Sequence, residues 1–499
     1  MSRMRTLGAT LSALVLVGAG AAAVTYADQV APPAAPSTSR VQVHPVPAGV
    51  LRLVCAPAPV IPEGATAYDS EFTPIPVTST AALTAAAVPR EDTPSSARLQ
   101  AGAEPIELEG SEALIAQLTP SDPGAMLVAR PVQGVAGLVD AAGLWRSDAG
   151  DLRSLTALPC APAEGEQWLV GGSTVVGSSA ALTLANPSET PITVDVSGWG
   201  PLGPVDVPML AGLVLAPGAA ETYLLEASDA TLERLALRVQ ASGGSVGASV
   251  LHSRLDGFTG HGVDTIGPTA PPALELVIPG VSLAAPAEGS EAPSAPGLVR
   301  ILNPGTTPAT VALALLTASG EAPIPGAVAV TVDPGAVFDV NLDGLPPGEH
   351  AVSVTSDHPV VASAQVLRSL SDGGAEAAWV SATLPAARLT SALPGSAGGA
   401  ERLALVLANP HDDDAPARVT PYGPDGGAGE VRDVVVPARG TVALTELDGA
   451  AALAVEADQG LHGALVASGA IAEGELVAVL PAAPDGATAH EVSVEVREN

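Results

Sequence analysis

Three stretches of this chain alternate apolar and polar residues up to an Asn-Pro, turn, and alternate again. They read LTLANPSETPITVDVSGWG (182–200), VRILNPGTTPATVALALLTASG (299–320) and LALVLANPHDDDAPARVTPYGPDG (403–426), with Asn186, Asn303 and Asn409 in matching places. A period of two lays the apolar side chains on one face of a strand, and Asn-Pro starts turns. Each stretch therefore predicts a β-hairpin. The likeness continues downstream, where VLAPGAAETYLL (214–225) resembles TVDPGAVFDVNL (331–342) and, more loosely, VVPARGTVALTEL (435–447). Residues 235–253, 350–369 and 452–469 then each read as strand, tight turn, strand. The segments 274–280, 381–387 and 477–484 read as closing strands that end in Pro. With a leading strand such as QWLVGGST (167–174), about seven short strands fall in each unit of roughly 100 residues. That count and spacing predict an all-β chain of tandem immunoglobulin-like β-sandwich repeats, with units at 165–280, 281–395 and 396–499. A propeller would repeat about every 40–50 residues, and no such period is present.

The N-terminal third follows the pattern less closely. LRSLTALPC (152–160) resembles the later closing strands, so 40–164 reads as a divergent N-terminal β domain. Within it, 78–104 is poor in large apolar residues and reads as a mobile low-complexity insert. Residues 28–39, rich in Pro, Ala and Ser, read as a linker, and 284–296 as a linker or long loop between the first two units. At the start, Arg3 and Arg5 precede an apolar run over 7–24, so 1–27 is expected to be a signal peptide or an N-terminal membrane anchor. The bulk of the chain is then extracytoplasmic, secreted or held to the membrane only by that segment.

Composition narrows the chemistry. The chain carries 20 basic and 53 acidic residues, a formal charge of −33, and every basic residue is Arg. Without Lys there is no Schiff-base amine, no phosphate-loop lysine and no Lys–Asn isopeptide cross-link. Nucleic acid is not an expected partner, because binding it requires cations against phosphates. The four Trp, four Tyr and three Phe are too few for stacking platforms.

The remaining motifs weigh toward structure. GGSVG (243–247) has the spacing of a nucleophile elbow, but that motif needs a strand leading into a helix, and the repeat puts Ser245 in a turn between strands. The eight His are scattered without metal-ligand spacing and read as surface or turn residues; His252 and His261 fall in one expected loop. HDDDAP (411–416) lacks the spaced donors of a calcium loop and reads as a solvated hairpin tip, with weak calcium binding as the minor alternative. WLVGGSTVVG (168–177) reads as a strand and turn. Trp145, Trp168 and Trp379 read as core anchors, and Trp199, at a turn, as the exposed one. No catalytic residue, cofactor or metal site is predicted; Trp199, Asp412, Asp413 and Asp414 are the candidate interaction surface.

The two cysteines sit in VCAPAP (54–59) and PCAPAE (159–164). Two thiols cannot complete a four-ligand zinc site, and a redox pair is ordinarily Cys-x-x-Cys. In an exported chain Cys55 and Cys160 predict a disulfide.

The stretches GDLRSLTALPC (150–160), EQWLVGGST (166–174) and LTLANPSETPITVDV (182–196) together resemble an actinobacterial envelope-associated family of unknown function. The resemblance covers the chain from about Arg40 onward and implies location rather than mechanism, since no catalytic residues come with it. The expected function is a non-enzymatic scaffold or interaction protein of the cell envelope that contacts protein or glycan. The alternative is an accessory factor or enzyme of envelope glycan assembly. An enzyme should show a deep pocket where carboxylates, or a His and a Ser, converge.

Overall fold

The computed structural model describes residues 39–46, 48–59, 79–90, 93–101, 104–119, 125–135, 137–285, 297–395, 398–485 and 490–497. The expected signal or anchor, nearly all of the 28–39 linker and residues 286–296 lie outside them. The chain divides into two compact units. In one, strands Ser39–Val46 and His490–Arg497 pair antiparallel along their whole length. The other, Ala48–Thr488, holds the remaining sheets.

The fold is all-β, with antiparallel pairing throughout the described strands. The three Asn-Pro stretches lie at equivalent places in three recurring pairs of sheets, but they are not hairpins. Ser178–Ala185 and Ile192–Gly200, the strands flanking the first Asn-Pro, belong to different sheets. The same holds for Leu298–Leu302 and Ala309–Thr317, and for Arg402–Asn409 and Ala415–Tyr422. Each Asn-Pro thus marks an arch that carries the chain across the apolar core from one sheet to the facing one. Alternation predicts the strands correctly, but it does not say which sheet the second strand joins.

The buried Asn side chains explain why the arch forms. Asn303 Nδ2 donates to the carbonyls of Thr307 (2.8 Å) and Val332 (3.0 Å), while its Oδ1 accepts from Gly305 N at 3.0 Å. Asn186 and Asn409 repeat the pattern, donating to Thr190 and Asp413 within the arch and to Leu215 and Val436 beyond it. Buried carbonyls at a sheet-to-sheet crossing have lost their ladder partners, and the amide supplies the missing donors.

The expected strand–turn–strand segments also cross between sheets. In the first section, Ala236–Ser242 and Gly247–Asp256 lie in facing sheets, and Ser245 occupies the turn between them. In the next two sections a single long strand, Gly348–Ser369 or Ala452–Ile471, pairs in both sheets without interruption. Residues 274–280, expected to close the first unit, lie instead in Ala273–Leu283, which pairs with Gly348–Ser369 of the next section. The strand after the crossing closes each section: Thr259–Ile266, Ala375–Ser381 and Gly474–Pro481.

Upstream, eight strands between Leu51 and Pro162 form one sheet folded around its own core. The 78–104 stretch, expected to be mobile, instead contains strands Ser79–Val88 and Ser95–Gln100. Ser79–Val88 pairs on both sides and is buried along most of its length. Its alanines suit close packing between neighbouring segments, an advantage that β-propensity does not register.

The sections share apolar clusters. Val406, Val466 and Val479 lie in the cluster of Ile278 and Val352, and Leu144 and Leu155 join Leu405 and Leu465. That sharing is why 48–488 forms one unit.

Candidate functional site

Four strands, one from each section, meet within this unit: Ser154–Pro162, Thr259–Ile266, Ala375–Ser381 and Gly474–Pro481. Their mutual contacts close a ring. The last three are outer strands of their sheets. An edge carries amide and carbonyl groups that need partners, and two buried carboxylates supply part of them. Asp264 accepts from Ala157 N at 3.0 Å and from Trp379 N at 2.6 Å. Glu376 Oε1 accepts from Leu155 N (2.9 Å), Ser154 Oγ (3.0 Å) and Val477 N (3.4 Å). Each carboxylate therefore ties its own strand to two strands of other sections. Asp140 is a third such carboxylate, accepting from Ala392 N at 2.8 Å.

Burial dominates the acidity of all three. It pushes Asp264 up to about 8 and Asp140 up to about 7, against the hydrogen bonds that favour the charged form. Glu376 is raised well above its ordinary value, by burial first and with the nearby Asp264 adding to it. Two close carboxyls taken out of water favour the protonated state.

Trp379 stands at the edge of this junction. Its ring lies edge-on to His252 (6.4 Å between centroids), and the Arg300 guanidinium sits 5.1 Å from its centroid. The turn Gly171–Ser173 packs against them. A Cβ on Gly171 would fall 2.8 Å from the Trp379 ring, and at φ 151° only glycine is at ease there. Arg300 Nη1 donates to the Gly172 carbonyl, while Nε and Nη2 hold Asp339 at 2.8 and 2.9 Å. Ser173 Oγ lies 3.2 Å from His252 Nε2 and bonds Ser178 Oγ at 2.9 Å. Burial, aided by Arg300 and Arg254, lowers His252 to about 3, which keeps its imidazole neutral. A His and a Ser thus converge, but inside packed protein. A shallow cleft lies elsewhere, lined by Cys55, Pro159, Thr183, Gly247 and Ser249 among others, without a titratable side chain.

The residues singled out from sequence are dispersed. Cys55 and Cys160 form a disulfide and lie directly opposite each other on adjacent strands. That three-residue pairing joins the two halves of the N-terminal sheet. Trp199 is buried, not exposed as expected: it stacks on Trp168 with centroids 5.5 Å apart, and Arg238 lies over both rings. Trp199 lies within strand Ile192–Gly200 rather than at a turn, and Trp168 covers its ring. Asp412 and Asp414 are exposed at the third arch, bonded to Arg439 Nε (2.5 Å) and Ala438 N (2.9 Å); Asp413 lies between them. Val176 and Leu202 are fully exposed at loop ends of the first section. The histidines are not all surface or turn residues. His252 and His261 lie on strands, and His252, His350 and His462 are buried.

Sequence reasoning missed Asp264, Glu376, Arg300 and the Ser173–His252 contact. The available signal was a lone acid in an apolar strand, as in GVDTI and AEAAWV, because an acid there is buried only with partners. Among the described residues no group of three or more His, Cys, Asp or Glu could hold a metal ion. Among them no helix is long and apolar enough to cross a membrane.

Residues 115–447 match the model of a Family of unknown function (DUF5719). The chain belongs to this family. The match takes in the three arches, the Gly171–Ser173 turn and three of the four junction strands; Gly474–Pro481 lies beyond it. No curated protein matches. Of solved structures, that of infectious bursal disease virus Gx strain aligns over 85% of this chain and 84% of its own, with 11% identity and a TM-score of 0.11. That likeness carries no argument.

Proposed function

We propose that this chain is an extracytoplasmic, non-enzymatic scaffold or interaction protein of the cell envelope. The observation that carries the reading is where the buried polar groups spend their bonds. Asp140, Asp264 and Glu376 accept from main-chain amides of strands in other sections, and the half-buried Arg146 donates to the carbonyls of Gly399 and Ala470. The interior chemistry welds the sections into one body, and arch and loop ends are among what faces outward. The disulfide suits an oxidising compartment. The excess of acid suits solubility and a partner of cationic or neutral surface.

Fractionating native cells tests the location. The chain should appear in the envelope or medium, cut by protease added outside the membrane and carrying no free thiol. A reduced, protease-protected chain in the cytosol would overturn the reading.

A further inference from the structure

We propose that the chain cleaves itself between Gly172 and Ser173, with Ser173 as nucleophile, His252 as proton carrier and Arg300 as the group that polarises the carbonyl. Three contacts converge on this one peptide bond. A serine hydroxyl reaches the carbonyl carbon of the residue before it through a five-membered ring, so the nucleophile is tethered to its target. The carbonyl oxygen of that residue, Gly172, accepts from the buried guanidinium of Arg300, where oxyanion charge would develop. His252 Nε2 stands 3.2 Å from Ser173 Oγ; the hydroxyl proton, donated to Ser178 Oγ at 2.9 Å in this structure, has to turn from Ser178 to His252 for the attack. The flanks are pinned by Gly171 N to Leu235 O at 3.0 Å and Thr174 N to Leu232 O at 2.8 Å. Gly172, at φ 80°, leaves room for the His252 ring, which a Cβ there would approach to 3.3 Å.

The step balances without a cofactor. Ser173 Oγ attacks the Gly172 carbonyl carbon and passes its proton to the neutral imidazole of His252. The C–N bond then breaks, and His252 returns the proton to the departing nitrogen, which becomes the amine of Ser173. An ester now joins Gly172 to Ser173 Oγ. Water hydrolyses it, leaving a carboxylate on Gly172 and restoring the hydroxyl. This is a single maturation event rather than turnover, so it stands independently of the envelope reading.

The fold predicts the outcome of cleavage. Strand Glu166–Val170 stays paired with Ala236–Gln240, so the fragments remain together in the native state. Both cysteines lie upstream of the cut, so no disulfide links the fragments once they are denatured. Purified full-length chain, incubated and then denatured without reductant, is expected to give two fragments by intact mass. The C-terminal one should begin Ser-Thr-Val-Val-Gly, and hydroxylamine should raise its yield by capturing the ester. Ser173→Ala, checked for an unchanged melting transition, should stay whole. His252→Gln should slow cleavage by roughly 100-fold or more. A wild-type chain that stays whole in hydroxylamine, or a Ser173→Ala chain cut at the same bond, overturns the proposal.

Discussion

The main-chain N–H of Trp379 donates to Asp264 Oδ2 at 2.6 Å, across two sections that share no sheet. On the far side the same carboxyl holds Ala157 N, and Glu376 repeats the arrangement toward Leu155 and Val477. Side chains here do the work of a neighbouring strand. The junction is therefore sensitive to protonation and to small changes of volume.

Glu376 sets the first prediction. Its folded form holds its proton more tightly than the unfolded chain, where the ordinary value is 4.5. The stabilisation is complete below that pH and falls as pH rises toward the higher folded value. Asp264 behaves alike between 3.8 and about 8. His252 has the opposite sign: its contribution is complete above 6.5 and is lost as pH falls toward about 3. Glu376→Gln, which mimics the neutral acid, should match wild type near pH 4 and melt higher at alkaline pH. Melting curves across pH check this; a variant that loses stability equally at every pH contradicts it.

Volume at the junction gives the second. A Cβ on Gly262 would lie 2.6 Å from both N and Cβ of Ala377, and the residue sits at φ 99°. Gly262→Ala should cost about 1–3 kcal/mol through strain and overpacking, measured by denaturant unfolding. Gly326→Ala, also at positive φ but with open space around its Cβ, separates backbone strain from the clash.

The arches give the third. Asn303→Asp keeps the shape but removes the Nδ2 donors that face the Thr307 and Val332 carbonyls. Each orphaned buried group costs about 1–3 kcal/mol, so this nearly isosteric change should destabilise more than most surface substitutions. Unfolding free energies of the Asp and Ala variants, set against wild type, check it.

The disulfide gives the fourth. Cys55–Cys160 closes a separation of 105 residues, which is worth about 4.7 kcal/mol in the chain-entropy model. Replacing both by Ser should loosen the N-terminal sheet first, because the bond lies on its short seam. Hydrogen exchange should show protection lost in 51–162 before the later sections; uniform loss would contradict that order.

Much of the fold was legible, and for stated reasons. The period-two runs around Asn186, Asn303 and Asn409 named the strands, and the lone pair of cysteines named its bond. The sheet joined by each second strand was not legible, because a hairpin and an arch share the same local alternation until tertiary contacts separate them. The alanines of Ser79–Val88 gave no signal, since small side chains acquire value only against a close neighbour. Asp264 and Glu376 resemble any other acid until the edges they serve are in place. Trp199 failed for a similar reason: its cover, Trp168, comes from another strand.

The reading as an envelope interaction protein is tested most directly by photo-cross-linking in living cells. A cross-linker placed in turn at Asp413, Val176 and Leu202, all at exposed loop or arch ends, should yield a discrete adduct with an envelope protein or glycan from at least one position. The absence of any adduct from all three, in a chain shown to be folded and exported, would contradict it.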